Sequence, residues 1–165
     1  MNEEIRIIRS KRRKKTISAR FVDGAMEVLA PASISDKELQ PVIEKLKKRL
    51  EKREKKRHLN DSDELEKRSN MLNQRYFNGE LKINSIKYVT NQDKRLGSCT
   101  SGMGTIRISH KVAKLPKWVA DYILIHEMAH LIEPNHSKSF WKLVNRYPLT
   151  ERARGYIMAL KNHDQ

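Results

Sequence analysis

Apolar positions in the first thirty residues fall in short runs broken by charge, and after residue 35 they recur at helical spacing. Ile5, Ile7 and Ile8 with Arg6 and Arg9 predict a short strand. Ile17 to Val22 and Ala25 to Leu29 flank Asp23-Gly24, the residue pair of a tight hairpin turn. These three segments predict a small antiparallel sheet. Three short strands bury too little on their own, so this sheet is expected to pack on the rest of the chain. Pro31 closes it, and Ser35-Asp36-Lys37-Glu38 has the form of a capping box at a helix start. Leu39, Val42, Ile43, Leu46 and Leu50 make one apolar stripe on that helix, and nine Lys and Arg between Lys45 and Arg57 cover the rest. Pro41 lies too deep for the first turn, which predicts a kink there or a fresh start with Pro41 in first position. The stripe runs out near Glu51, and Arg57 to Asp61 reads as a connection.

Asp61 with Glu64 is placed to cap a second helix burying Leu65, Leu72, Tyr76 and Phe77, and Asn78-Gly79 is its stop signal. That helix is expected to form a back wall. Ile83 to Thr90 and Gly104 to Ser109 are strand candidates, separated by Gln92 to Gly102, which is rich in Gly, Ser and Thr. Val119, Ala120, Ile123, Leu124, Leu131 and Ile132 then fall at helical spacing behind Pro116. Glu133-Pro134-Asn135 ends that helix. A helix over His136 to Arg146 is expected to bury Phe140, Trp141 and Val144. After Pro148 a last one runs over Thr150 to Lys161 with Tyr156, Ile157 and Leu160 inward, and the tail 162–165 is expected to fray. The pattern predicts a mixed α+β chain, with an N-terminal hairpin sheet and basic helix over 1–58 packed on a core over 59–165, the two making one structural unit.

The chemistry concentrates on the long apolar helix. Its end reads His126-Glu127-Met128-Ala129-His130, with His136 six residues on. Helical residues four apart project from one face about 5–6 Å apart at Cβ, so His126 and His130 can grip one small cation. The Pro134 turn swings His136 back toward it. Three neutral imidazoles leave a fourth position for water, the arrangement of a catalytic zinc site; a closed structural site wants four protein ligands, usually with cysteines. Glu127, one position round the helix, reaches that water as a general base. Cys99 is the one cysteine. Set among Gly, Ser and Thr with no base at hand, it reads as a small buried hydrophobe and not as a nucleophile. His58 and His163 stand in polar surroundings that suggest no role.

Charge adds a second theme. The 165 residues carry 35 Lys and Arg against 20 Asp and Glu, a formal net charge of +15, and residues 1–60 hold 18 of those cations against 9 acids. Such a field attracts polyanions: nucleic acid, an anionic membrane surface, or acidic or phosphorylated substrates. The ordinary reading of the run Lys11 to Lys15 and of the basic helix is a solvated surface. No apolar run is long enough to span a membrane. The acidic start lacks a secretory h-region, and one cysteine permits no internal disulfide, which together lead to the expectation of a cytoplasmic protein without a membrane partner.

Gly97-Ser98-Cys99-Thr100-Ser101, Gly104-Thr105-Ile106-Arg107-Ile108, the His126 to His130 motif, and Glu133-Pro134-Asn135-His136-Ser137-Lys138 with Phe140-Trp141 together resemble the YgjP-like metal-dependent hydrolases, relatives of the SprT and Spartan type metalloproteases. The chain departs from that pattern at Leu96, where a tryptophan is expected, and at Ser109-His110, where Asn-Trp is expected. The resemblance implies a zincin-like core, with the motif helix packed on a small antiparallel sheet among further helices. It implies Zn2+ or another divalent ion on His126, His130 and His136, Glu127 as the base, and peptides or proteins as substrates. It also implies that the strand carrying Gly104, Thr105 and Ile106, with His110 near it, borders the cleft and pairs with an extended substrate. Two alternatives stand beside the peptidase. One is a nucleotide pyrophosphohydrolase, since some members of the resembled family are so described. The other is a nucleic-acid-associated module or DNA-linked protease, with the basic N-terminal half as the contact.

Overall fold

The computed structural model describes residues 4–163. Six strands and five α-helices occur among them, in the order β1 (Ile5–Ser10), β2 (Ser18–Val22), β3 (Ala25–Pro31), α1 (Asp36–Asp61), α2 (Glu64–Phe77), β4 (Ser85–Val89), β5 (Gly97–Thr100), β6 (Thr105–Ser109), α3 (Lys117–Ala129), α4 (Lys138–Val144) and α5 (Thr150–His163). The chain is thus mixed α+β. It divides into two compact units, with the boundary after Lys55, inside α1.

In the first unit the strand order is β1-β3-β2, with β2 antiparallel to β3 but β1 parallel to it. The expected antiparallel sheet is therefore corrected to a mixed one. Because Asp23 and Gly24 both take positive φ, of 48° and 80°, the hairpin folds β3 tightly onto β2. β3 is the most apolar of the three strands and takes the middle, where Met26, Val28 and Ala30 are fully buried against Leu39 and Ile43 of α1. β1 reaches its other side by the basic 11–17 loop. The capping box forms, with Glu38 N–H donating to Ser35 Oγ at 3.3 Å and Ser35 N–H to Glu38 Oε2 at 3.2 Å. With the start held at Asp36 and both Leu39 and Ile43 buried, α1 continues through Pro41 without restarting.

Residues 57–61 are also helical, against the expected connection. The reason lies in Asn60, whose side-chain amide donates to the Tyr88 carbonyl at 3.1 Å and accepts from the Tyr88 N–H at 2.9 Å. It completes the free edge of β4 as another strand would. The Asp61 and Glu64 cap is not formed: α2 starts after Asp63, which makes no side-chain cap hydrogen bond, and it ends on the expected left-handed Asn78.

The second sheet repeats the first arrangement, β4-β6-β5, with β4 parallel and β5 antiparallel to β6. It too is mixed and not purely antiparallel. β5 is the strand missed in the Gly- and Ser-rich stretch, being four residues long and too short to show alternation. Apolar on most of its surface, α3 is a core helix. Val119, Ile123, Ile125, Met128 and Ala129 are buried, and α3 packs on β5 and β6, on α2, and on α4 and α5. Ile132, expected within the helix, lies beyond its end at Ala129 and is 48% exposed. α4 is shorter than the expected His136 to Arg146: Ser137 caps it by accepting from Phe140 N–H at 3.2 Å. α5 runs on through Asn162 and His163, where fraying was expected, while Asp164 and Gln165 lie outside the described residues. Its core contacts end at Ile157, which leaves Leu160 37% exposed instead of inward. No helix among the described residues is long and apolar enough to cross a membrane.

Candidate functional site

Three imidazoles meet where α3 ends and the chain turns toward α4. His126 sits in the last turn of α3 and His130 is its C-cap residue. The His130 Nδ1 lies 3.0 Å from the Glu133 carbonyl oxygen, so that nitrogen carries the proton and Nε2 is left bare. The turn at Pro134 returns the chain, and His136 Nε2 faces His126 Nε2 at 3.1 Å. Two ligands at about 2.0–2.1 Å from one tetrahedral ion stand about 3.3 Å apart, close to this separation. One ring nitrogen from each of His126, His130 and His136 lies within 4.8 Å of the others. The donor set, all imidazole, fits a borderline ion such as zinc.

Phe140 holds the cluster from behind. Fully buried, its ring stacks on His130 at 4.4 Å between centroids and meets His126 and His136 edge-on at 4.9 and 4.7 Å. Trp141 stacks on His136 at 5.9 Å, and the Arg154 guanidinium lies over the Trp141 ring at 4.6 Å. The pattern of α4 marks Phe140 as core, but its contact with all three rings depends on the turn that precedes the helix.

Burial sets the charge state. Desolvation, reinforced by His130, His136 and Arg154, depresses His126 to about 4, so its ring is neutral and available as a ligand at neutral pH. His136 is lowered as well, by desolvation and then by His130. Glu127 is 7% exposed and makes no hydrogen bond or ion pair with a described residue. Desolvation therefore pushes its carboxyl up to about 7, only partly opposed by Arg95. Desolvation and then the Glu127 charge push the Cys99 thiol up to about 11, the opposite of what a nucleophilic cysteine needs.

An open cleft of about 360 Å³ lies over the cluster, walled by Arg95, Gly97, Ser98, Cys99, Ser101 and Pro134 besides His126, Glu127, His130 and His136. The wall is thus β5 and its flanks, and the expected strand is not the bordering one. β6 is hydrogen-bonded on both sides, so Thr105 and Ile106 offer no free main-chain edge. Gly104, Thr105, Ile106 and His110 are absent from the lining. The departures at Leu96, Ser109 and His110 also lie off the cleft wall. Ser109 is fully buried and donates to the Gln92 carbonyl at 2.9 Å, and the Leu96 carbonyl accepts from Ser109 N–H at 2.8 Å. Arg95 and Gly97 are wall residues that sequence pattern alone does not single out. The run of small residues beside the motif was the available signal for them.

A larger groove of about 640 Å³ lies on the opposite side of α3, around Arg68, Lys117, Asp121 and Leu124. It holds none of the three histidines, and the Arg68 guanidinium grips the buried Asp121 carboxylate there with two hydrogen bonds.

Set against known proteins, the chain matches none of the curated sequences. Among solved structures it is similar to the crystal structure of the metallopeptidase zymogen of Pyrococcus abyssi abylysin, at 26% identity over 55% of this chain and 86% of that one, with a TM-score of 0.47. The family model described as YgjP-like, metallopeptidase domain, matches residues 78–156, a span holding the three histidines, Glu127 and the β5 wall, and so shows the YgjP-like resemblance that the motifs carry.

Proposed function

We propose that this protein is a metal-dependent peptidase, with His126, His130 and His136 as the ligands of a zinc ion and Glu127 as its general base. The observation that carries the reading is the convergence of three imidazole nitrogens beside a buried, unpaired carboxyl at the floor of an open cleft. When bound, a divalent ion supplies Lewis acidity to a substrate carbonyl and to a water at the position the imidazoles leave open. In the metal-free chain burial raises the Glu127 carboxyl to about 7; beside a bound ion it would take the proton of a water and return it to the leaving amine. The outer edge of β5 is free of a partner strand among the described residues, and an extended peptide adds to it through main-chain hydrogen bonds, which brings its carbonyl over the histidines.

The nucleotide alternative finds less support. A triphosphate wants several cations, and Arg95 is the one Lys or Arg among the residues lining the cleft. The test is a two-arm assay of the zinc-loaded protein. Cleavage of an unfolded protein substrate is expected, with loss of turnover and retention of metal in Glu127→Gln. Pyrophosphate release from nucleoside triphosphates without peptide cleavage overturns the peptidase.

A further inference from the structure

We propose that the solvent face of α1 is a docking surface for a nucleic acid double helix, held through its phosphate backbone and indifferent to its sequence. The observation is a row of cations arranged at the expense of helix stability. Lys45, Arg49 and Lys52 are exposed and lie three or four residues apart, on the side of α1 away from Leu39 and Ile43. No Asp or Glu stands three or four residues from any of them, and every charged residue at those spacings, Lys48, Arg53, Lys55 and Lys56 included, is positive. The acids of this stretch, Glu44, Glu51 and Glu54, lie along one flank of the row. None of Lys45, Arg49 and Lys52 makes an ion pair or hydrogen bond with a described residue.

Like charges at these spacings weaken a helix, and a surface serving solubility alone works as well with the two signs interspersed. The repulsion is relieved when a polyanion lies along the row. From Lys45 to Lys52 the row is straight and about 10 Å long, and a duplex presents roughly one negative charge per 1.7 Å of its axis, so several phosphates face it at once. An anionic membrane is the rival partner. A helix lying in a membrane surface also inserts apolar side chains. The apolar side chains of α1 are turned onto β3, and none of the exposed large hydrophobic residues among the described residues is in α1.

The experiment measures binding and not hydrolysis, so it is independent of the peptidase reading. Full-length protein is titrated into a fluorescently labelled 20-base-pair duplex DNA between 50 and 200 mM salt, and its anisotropy is followed. The triple variant K45Q/R49Q/K52Q is expected to bind at least about tenfold more weakly at 100 mM salt, with a salt dependence shallower by about 2–3 counterions. A variant with three charges removed elsewhere, K82Q/K87Q/K142Q, is expected to stay within about twofold of wild type. Glutamine is a good helix former at exposed positions, so the row variant is expected to keep its circular dichroism and thermal midpoint. A K45R/K52R variant should retain full binding. Equal losses in the row and control variants, no binding at 50 mM salt, or tighter row-dependent binding to phosphatidylserine vesicles than to DNA at equal phosphate would each overturn the proposal.

Discussion

Gly97 and Glu127 fill one space: a Cβ built on Gly97 stands 2.6 Å from both Cγ and Oε1 of Glu127. No real Cβ makes such a contact, so the carboxyl rests against β5 only because residue 97 has no side chain. Gly97→Ala is therefore expected to displace the Glu127 carboxyl, the proposed base, while sparing the histidines. The expected outcome is a fall in kcat of about 10- to 100-fold, a fraction of what general-base catalysis contributes, with zinc affinity within a few-fold of wild type. Overpacking should cost about 1–3 kcal/mol of stability. Zinc titration beside steady-state kinetics separates the two effects, and equal loss of metal and turnover would contradict this account of Gly97.

Glu127 also makes stability depend on pH. In the metal-free chain its pKa is raised from 4.5 to about 7, so its contribution favours the fold below pH 4.5 and is lost as pH rises through 7. His126 runs the other way: depressed from 6.5 to about 4, it contributes above pH 6.5 and loses that contribution as pH falls toward 4. Comparing wild type with Glu127→Gln cancels the histidine. Glu127→Gln should match wild type near pH 4.5 and exceed its stability by up to about 3 kcal/mol at pH 8, as denaturant titration at the two pH values would measure. A difference independent of pH would mean that the carboxyl titrates normally.

Phe140 touches all three imidazoles from the protein side and Trp141 backs one of them. Phe140→Leu keeps an apolar core residue but removes the flat surface against which His130 lies. Zinc affinity is expected to drop about 10- to 100-fold, the usual cost of losing a group that orients ligands. Competition with a chromophoric chelator measures it.

The Arg68 and Asp121 pair is a control far from that chemistry. Asp121 has a side chain 9% exposed and Arg68 one 26% exposed, so Asp121→Ala strands a largely covered guanidinium. A loss of about 2–3 kcal/mol is expected, at the low end for a buried pair because Arg68 keeps some solvent. Activity per folded molecule should be unchanged, as thermal unfolding and kinetics on the same sample would establish.

The local geometry was legible in the residues, and the long-range pairing was not. His126, His130 and the turn at Pro134 depend on neighbours within ten positions, so helical spacing and one proline suffice to bring the imidazoles together. Asp23-Gly24 and Asn78-Gly79 likewise act where they stand. β1 joins β3 in parallel, and β6 sits between β4 and β5, because of competition between whole strands for the middle of a sheet, which no window of residues contains. That competition moved the open edge from Ile106 to the Gly97 strand. Asn60 shows the same limit, since its stripe is exhausted and only the edge of β4, 28 residues on, keeps its turn helical.

The most direct measurement is anomalous scattering at the zinc edge from crystals of Glu127→Gln, paired with the turnover of the same preparation. One ion should appear within about 2.0–2.1 Å of a nitrogen from each of His126, His130 and His136, with a solvent position facing residue 127 and no peptide cleavage. An ion missing from that point, an ion there whose remaining position is closed by protein, or undiminished cleavage by the variant would contradict the account.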